Sequence, residues 1–425
     1  MSEIEAKRAI LGGGIDPTGN FSISNNGPAI EVERGKVGGG VEVATRIRPD
    51  GGVEFPLAPA LPVKPEDAVI ARVLAAMMPK VIPVMPGKRS FVKKGARAIS
   101  IKAGTVIFVG GIPKSYSADT AVVMPDVLTP GEDYSIWALP SGALFAAKDG
   151  FDAPYAPIPA QAGAVKLGGF HFGLVGVSET LVGGSFNTTE KASKDMVWKQ
   201  SDLDLLAGIN AHSIWDEAFQ PECDPRGMTC VTTSAGEGLF WFDIYFTGTE
   251  HITNGTSRAG TDVASGTVPP KIPAMFGGNG TTKYTTFNWI EAVTEVAQSH
   301  GKRAMQFSEF GAAAFGVTEK QAIGGATTTI PLTKREAGYT SKWGGEQMAG
   351  NQHVFGQEIS SAGGSSWLDT RLRGNGYGNI HVVIYGGSRD VGVNAGSQCS
   401  NCALVSTSSN WFTSARFACN HKRPQ

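Results

Sequence analysis

The sequence has little net charge, few cysteines and no long hydrophobic run. Its 425 residues carry a formal net charge of −1 and include five cysteines, an odd number. A chain without an excess of basic residues is a poor partner for nucleic acid. Five scattered cysteines do not make a disulfide scaffold. No apolar run approaches the roughly 20 residues that span a bilayer. We therefore expect neither nucleic-acid binding nor membrane insertion.

The sequence also lacks the short signatures of common enzymes. It contains no GxSxG, HExxH or Walker motif. The seven histidines include no pair at i, i+4 spacing, and Cys399 and Cys402 form a single CxxC with no second pair to complete a zinc site. Asp243 and Glu309, which lie among apolar residues, are predicted to be satisfied core carboxylates. We predict no catalytic residue, no metal ligand and no cofactor.

Glycine and proline are abundant instead, with 56 and 24 residues, which favours turns and short strands over long helices. Residues 1–79 are predicted to form a β-rich N-terminal region with one short helix at Glu66–Met78, because acidic residues follow Pro65 and Pro79 ends the pattern. The alternating apolar pattern predicts three strands there. They are Ile10–Gly14, Ala29–Glu33 and Val41–Ile47.

Residues 80–198 have an all-β pattern with turn residues about every ten positions, which predicts a small β-sandwich. A Gly/Ser/Thr-rich loop is expected at Val175–Ser193. The predicted strands are a pair within Ala98–Val109 around Gly104, then Val122–Val127, Tyr134–Leu139, Ala143–Ala147 and Val165–Gly173.

Residues 199–425 mix strands with a few helices, so the whole chain combines all-β and α+β parts. Phe240–Phe246 is predicted to be a buried strand. Asn288–His300 is predicted to be a helix that stops at Gly301. A second short helix is predicted at Ser308–Gly316, with Ser308 as its N-cap.

The C-terminal segment Tyr385–His421 is rich in small, turn-forming residues. Two strand-like runs, His381–Tyr385 and Ser414–Cys419, enclose it. Long loops inside compact domains are usually binding loops or disordered. Because this one is held at both ends by apolar strands, we interpret it as a displayed surface, with a flexible C-terminal tail as the alternative.

Nine short motifs occur in order over the chain, and together they identify a family resemblance. They are SIKAGT at 100–105, GGFH at 168–171, SIWD at 213–216, DPRGMT at 224–229, FWFDIY at 240–245, GTS at 255–257, HGKR at 300–303, TSKWG at 340–344 and ARFACNH at 415–421. This series resembles the major tropism determinant family, the receptor-binding proteins at the tips of Bordetella-type phage tail fibres.

The resemblance implies a variable protein of a diversity-generating retroelement. It implies a β-rich trimeric stem, a β-sandwich and a C-terminal C-type lectin fold of the variant found in sulfatase-modifying enzymes, assembled as a homotrimer. The implied partners are a host cell-surface receptor, which is expected to be a protein, and other tail-fibre proteins. The N-terminal region is expected to contact the other tail-fibre proteins. Since residues 1–10 lack the apolar segment of a signal peptide, we expect synthesis in the host cytoplasm and a final location at the tip of the virion tail fibre.

The resemblance also implies which residues vary and contact the ligand within the variable region 388–413. They are Ser388, Asp390, Val391, Asn394, Asn401, Ala403, Leu404, Asn410, Phe412 and Thr413. Polar side chains with occasional apolar anchors are typical of adaptable binding surfaces. For Phe412, core packing is the alternative. Trp411 is expected to pack inward, and Arg416 and His421 are expected to brace the segment.

Codon chemistry offers a separate test of this implication. Asn codons randomised at their adenines cannot produce Lys, Glu, Met, Gln or Trp. In residues 388–413 Lys, Glu and Met are absent, and the excluded types that do occur are Gln398 and Trp411. Both are therefore expected to be fixed scaffold positions.

Three alternative functions follow from the same fold. Calcium-dependent sugar binding is not expected, because the EPN or QPD and WND motifs that supply oxygen ligands are missing, and Trp367–Asp369 is a poor substitute. Cys399 and Cys402 could imitate the cysteine pair of a sulfatase-modifying oxidase, although they fall in the variable region. A cellular, surface-displayed variable ligand-binding protein is the remaining alternative.

Overall fold

The computed structural model describes residues 80–149, 163–181, 199–360 and 380–422 with their side chains, and several further strands by their backbone. The chain divides into two compact units, 1–78 and 79–425. The helix predicted at Glu66–Met78 lies outside the described residues.

The first unit contains a five-stranded antiparallel sheet in which each strand pairs with the next along the chain. The predicted strands Ala29–Glu33 and Val41–Ile47 are confirmed, and Ile10–Gly14 is confirmed at residues 10 and 11, while residues 12–14 lie outside the described residues. The sheet consists of β1 (Ala9–Leu11), β2 (Phe21–Asn26), β3 (Ala29–Gly35), β4 (Val41–Ile47) and β5 (Val53–Glu54).

The second unit begins with ten short strands in three small sheets around one apolar core that includes Phe91, Ile107, Ile136 and Phe170. The sheet orders are β10-β9-β6, β11-β8-β7 and β13-β12-β14-β15. The strands are β6 (Val81–Ile82), β7 (Phe91–Gly95), β8 (Ala98–Ile101), β9 (Val106–Val109), β10 (Ile112–Ser115), β11 (Thr120–Ala121), β12 (Glu132–Ala138), β13 (Leu144–Lys148), β14 (Val165–Phe172) and β15 (Trp215–Asp216).

Most of the predicted β pattern is confirmed here, with one correction. Gly104, at φ +84°, turns the chain between β8 and β9 as expected. Val122–Val127 is not a strand, since only a single bridge at Val123 is formed. Pro125 has no N–H to donate to a ladder, and Val123 and Val127 are 67% and 74% exposed. In the described part of the predicted loop, residues 175–181, no helix or strand occurs.

Strand β15 links this β region to the rest of the unit. Gly168 and Gly169 on β14 pair with Asp216 and Trp215. Ile209 and Ile214 belong to the same core. Residues 209–216 therefore complete the sandwich. The predicted boundary between 80–198 and 199–425 stays a prediction.

The remaining strands form two four-stranded sheets, ordered β16-β17-β25-β18 and β23-β22-β19-β24, and a two-stranded ribbon of β20 and β21. The buried strand predicted at Phe240–Phe246 is β17. The strands are β16 (Met228–Thr232), β17 (Gly238–Asp243), β18 (Arg303–Ala304), β19 (His353–Ser361), β20 (Trp367–Asp369), β21 (Asn375–Tyr377), β22 (Ile380–Tyr385), β23 (Ser400–Val405), β24 (Thr413–Ser414) and β25 (Phe417–Asn420).

Short helices pack against these sheets, and among the described residues none is long and apolar enough to cross a membrane. The helix predicted at Asn288–His300 is a π-helical turn followed by α-helix, and Gly301 ends it at φ +64°. The helices are α1 (Gln200–Asp204), α2 (His251–Asn254), α3 (Ala297–Ser299), α4 (Phe307–Ala313), the π-helix Ile290–Val296, and the 3₁₀ turns Ala211–Ser213, Ala274–Phe276, Ala337–Tyr339 and Gly392–Asn394.

The second predicted helix is confirmed as α4, but its N-cap is not Ser308. Gln306 precedes the helix in extended conformation, and Glu309 accepts a hydrogen bond from the Gln306 backbone N–H at 3.0 Å in a capping box. The Glu309 carboxylate therefore determines where the helix starts.

Candidate functional site

The segment between Gly386 and Phe412 is folded against the C-terminal sheet and contains a strand. The sequence predicted one long loop, whereas β23 pairs antiparallel with β22, Ile384 lying opposite Asn401. Residues 400–405, SNCALV, show no period-2 alternation and are a weak strand signal, and pairing with the apolar β22 supplies the missing stability. The predicted loop is therefore two loops on either side of an edge strand.

The first loop, 386–399, is closed by its own backbone. The Gly386 N–H donates to the Cys399 carbonyl at 3.0 Å, and the Gly396 N–H donates to the Gly386 carbonyl at 3.2 Å. Gly387, at φ +84°, comes so close to Ala395 that a Cβ would lie 2.8 Å from its Cα. Since these contacts use backbone atoms and glycines, the path of the loop does not depend on its exposed side chains, such as Asp390, Val393 and Asn394.

Strand β23 lies at the edge of its sheet, next to β22. Residues 400–403 are exposed, and Leu404 is half-buried. The Asn401 side-chain oxygen accepts from the Ala403 N–H at 2.8 Å. Leu404 packs against the core that includes Phe287, Phe355 and Ile384, as does Phe412. The strand thus displays Asn401 and Ala403 while Leu404 holds it to the scaffold.

The two ends of the segment meet around His353 and Trp411. The Arg389 guanidinium lies 5.6 Å from the centre of the Trp411 ring. The His353 ring packs edge-on against Phe412, 6.0 Å between centres. Burial lowers the pKa of His353 to about 4, and the smaller effect of the Asp390 carboxylate opposes this shift. The residues predicted at both ends are thus brought together in one part of the fold.

The ten predicted contact residues differ in exposure. Asp390, Asn394, Asn401 and Ala403 are exposed, and Val391, Leu404, Asn410 and Phe412 are half-buried.

Ser388 and Thr413 require a correction. Ser388 is 2% exposed and donates to the Asp390 carboxylate at 2.5 Å, and Thr413 is fully buried and donates to the Asn410 carbonyl at 3.3 Å. Thr413 pairs with His353 on β19, and Ser388 forms a bridge with Asn351 just before β19. The two residues therefore support the surface rather than form it.

Other exposed residues of the segment were missed. Val393 is 73% exposed, and Gln398, Ser400 and Cys402 are also exposed. If residues 400–405 had been predicted as a strand, its period-2 alternation would have placed Ser400 and Cys402 on the same face. Trp411, expected to pack inward, is half-buried with its ring edge-on to Phe412 at 5.7 Å.

Beneath the segment, Arg416 is fully buried and braces the scaffold as predicted. Its guanidinium donates to the carbonyls of Asp243, at 2.8 Å, Ile244, and Glu346, at 2.6 Å. Burial lowers its pKa to about 10. The side chain therefore ties the end of the segment to strand β17 and to the loop before β19.

Asp243, Glu309 and His421 each have a side-chain partner. Asp243 is fully buried and receives the Lys302 ammonium at 2.6 Å. Glu309 accepts from Arg303 at 2.6 Å. The Trp241 indole donates to His421 at 3.0 Å. The prediction of a core carboxylate is confirmed for Asp243, and His421 braces the segment as expected, but Glu309 is half-buried and its partner Arg303 is partly exposed.

Comparison with known proteins agrees with this geometry. A family model described as "Mtd second domain" matches residues 89–199. A tail fiber receptor-binding protein of Bordetella phage BPP-1 is 35% identical over 343 residues, which cover 78% of this chain and 82% of the relative. The solved U1 variant of the major tropism determinant superposes with a TM-score of 0.70 at 32% identity over 89% of this chain and 92% of its own. The M1 variant superposes equally well, at 31% identity over 90% and 93%.

The chain belongs to the major tropism determinant family. The predicted fold class, with a C-type lectin fold at the C-terminus preceded by β-rich parts, is confirmed by these structural relatives.

The structure places Cys399 at the end of the turn that leads into β23 and Cys402 on that strand, in different environments. Cys402 is exposed and Cys399 half-buried, both as free thiols. Burial raises the pKa of Cys399, which lowers its thiolate fraction at neutral pH. This is the opposite of what a nucleophilic cysteine needs.

Two histidines distant in sequence are brought together. The Nδ1 of His251 lies 2.9 Å from the Nε2 of His300, and burial lowers the pKa of His300 to about 3. Both are therefore neutral at physiological pH, with one ring donating to the other. In the part of the chain that the structure describes, no three His, Cys, Asp or Glu side chains cluster as metal ligands would.

Proposed function

We propose that this major tropism determinant homologue is a phage tail-fibre receptor-binding protein that selects the host cell through the side chains displayed by residues 388–413. The curated relative is itself a tail fiber receptor-binding protein. The observation that carries the proposal is the way this segment is held: backbone hydrogen bonds and glycines fix its path, and eight of the ten predicted contact side chains are exposed or half-buried.

The proposed contact surface comprises eight of the ten predicted residues. They are Asp390, Val391, Asn394, Asn401, Ala403, Leu404, Asn410 and Phe412. Small polar groups provide adaptable hydrogen bonds, while Leu404 and Phe412 offer apolar anchors that already rest on the core. Such a mixture suits a protein receptor better than the calcium-bound sugar that other C-type lectin folds bind.

We further propose a homotrimer at the tip of the tail fibre, joined to other fibre proteins through the N-terminal region. Three rigidly linked weak sites gain avidity, because the second and third contacts become intramolecular. This function requires no catalysis, and we propose that the chain is not an enzyme.

The proposal is tested by placing a long charged side chain on the edge strand. Asn401→Arg is expected to reduce binding of the purified, labelled full-length protein to cells of the phage host by about tenfold or more. Binding is measured by flow cytometry, and competition with phage adsorption gives a second readout.

Ser117→Arg is the matched control, because Ser117 is exposed and lies in the sandwich region. It should leave binding and melting temperature unchanged. If Asn401→Arg and Ala403→Arg combined bind cells as well as the parent protein does, the surface is elsewhere and the proposal is wrong.

A further inference from the structure

Two free cysteines outside the variable segment share one small core. Cys419, on β25, is 3% exposed, and Cys223 is half-buried against the same cluster, which includes Trp241. Both approach Gly301: the Cys419 thiol donates to its carbonyl at 3.9 Å, and the Cys223 Cβ lies 3.8 Å from the position of a Cβ on this glycine. The two thiols therefore occupy neighbouring positions.

The backbone brings the two cysteines towards each other. Pro221 and His421 form an antiparallel bridge, and the Glu222 N–H donates to the Asn420 carbonyl at 3.1 Å. Cys223 follows Glu222 and Cys419 precedes Asn420, so each cysteine is the next residue along its segment after this hydrogen bond. Neighbouring antiparallel segments lie about 4.5–5.5 Å apart between Cα atoms, which is within the range that a disulfide can bridge.

The electrostatics assign different roles to the two sulfurs. Contact with the Cys223 thiol, and then the buried Lys302 ammonium, lowers the pKa of Cys419, while burial opposes this. Contact with Cys419, and then burial, raises the pKa of Cys223. Cys419 is thus the thiolate-forming partner, and Cys223 is the more accessible one.

We propose that Cys223 and Cys419 form an intramolecular disulfide when the folded protein leaves a reducing compartment. The bond would fasten the segment before β16 to the last strand, β25. Because β25 pairs with both β17 and β18 and follows the variable segment, the scaffold below the proposed contact surface would be cross-linked. This inference does not depend on the receptor-binding proposal.

The oxidant is a small-molecule disulfide, RSSR, and the exchange proceeds in two steps. The more accessible Cys223 thiol passes its proton to the Cys419 thiolate as its sulfur attacks RSSR, which forms a mixed disulfide and releases one RS⁻ that takes this proton from Cys419. The Cys419 thiolate then attacks the Cys223 sulfur and displaces the second RS⁻. Two cysteines are oxidised, RSSR is reduced to two RSH, and the two cysteine protons end on the released thiolates.

The test uses the full-length protein, purified under reductant and then equilibrated with oxidised glutathione. Two of the five thiols should disappear in a titration under denaturing conditions. Peptide mapping without reductant should recover a Cys223–Cys419 linked peptide. The melting temperature should rise by about 5 °C, reversibly on reduction, because the long closed loop restricts the unfolded chain.

The variants separate this pair from the exposed CxxC. Cys399→Ser with Cys402→Ser should retain the thiol loss and the temperature shift, whereas Cys223→Ser should abolish both. The oxidised and reduced parent protein are compared with each other, so the readout survives if a variant folds poorly. Retention of all five thiols, or a linkage between Cys399 and Cys402 or between two chains, overturns the proposal.

Discussion

Strand β23 and the buried site around Arg416 differ in which atoms make their hydrogen bonds. Around Arg416 the side chain itself donates to three backbone carbonyls, and it is fully buried. Along β23 and the preceding loop the backbone pairs with backbone, while Asn401 and Ala403 remain exposed. The fold therefore fixes one region mainly through a buried side chain and the other mainly through backbone pairing, with Leu404 as an apolar contact to the core.

This difference explains how a rigid scaffold tolerates sequence change at one surface. A side chain that makes no structural contact can be replaced with little effect on the free energy of unfolding. A buried donor with several acceptors cannot, because its loss leaves each acceptor unsatisfied. If the two regions differ in this way, substitutions in them should lower the free energy of unfolding by unequal amounts.

The largest effect is expected at Arg416. Arg416→Ala should lower the free energy of unfolding by about 4 kcal/mol, because three buried carbonyls lose their donor and a cavity remains. Urea denaturation measures the change. Arg303→Ala is the control: its pair with Glu309 is partly exposed and should account for at most about 1 kcal/mol. Equal losses for the two variants would contradict the comparison.

An acid-dependent loss is expected at His353, which lies between the two regions. Burial lowers its folded pKa from 6.5 to about 4, so the unfolded chain binds the proton first as pH falls. The contribution of this group is complete above pH 6.5 and is lost as pH falls towards 4. Over that window the parent protein should lose about 3 kcal/mol more stability than His353→Gln.

Denaturation curves at several pH values measure this loss, and an NMR titration of the imidazole gives the pKa directly. Parallel stability profiles for the parent protein and the variant would show that the ring is not buried against Phe412.

A smaller effect is expected at a glycine inside the tolerant region. Gly387→Ala should cost about 2 kcal/mol, since φ is +84° and the new Cβ would lie 2.8 Å from the Ala395 Cα. Gly392→Ala is the matched control, with φ +56° but nothing within 4 Å, and should cost about 1 kcal/mol. Thermal unfolding compares them, and a cost at Gly387 no greater than at Gly392 would mean that the loop path is not constrained there.

The smallest effect is expected on β23 itself. Asn401→Ala and Ala403→Ser should each change the free energy of unfolding by no more than about 0.5 kcal/mol, because both side chains are exposed. Urea denaturation of each variant checks this. A loss above 1.5 kcal/mol at either position would show that β23 depends on its side chains as Arg416 does.

Local pattern was sufficient for several elements. Alternation and turn residues predicted β8, β9 and β12, and the glycine stop at Gly301 is where the helix ends. The apolar surroundings of Asp243 and Glu309 indicated paired carboxylates. The start of α4 was predicted wrongly, because the Glu309 side chain reaches back to Gln306 and outweighs the intrinsic preference of Ser308 for a cap.

The sequence by itself determined the family and the alternation of the strands, since these depend on short motifs and on residue types at near positions. Only the tertiary structure decided that residues 400–405 form a strand, that Ser388 and Thr413 are buried, and that Cys223 and Cys419 share one small core. Each of these outcomes depends on pairing between residues far apart in the chain. Such pairing is selected by the packing of the whole unit, which no local pattern encodes.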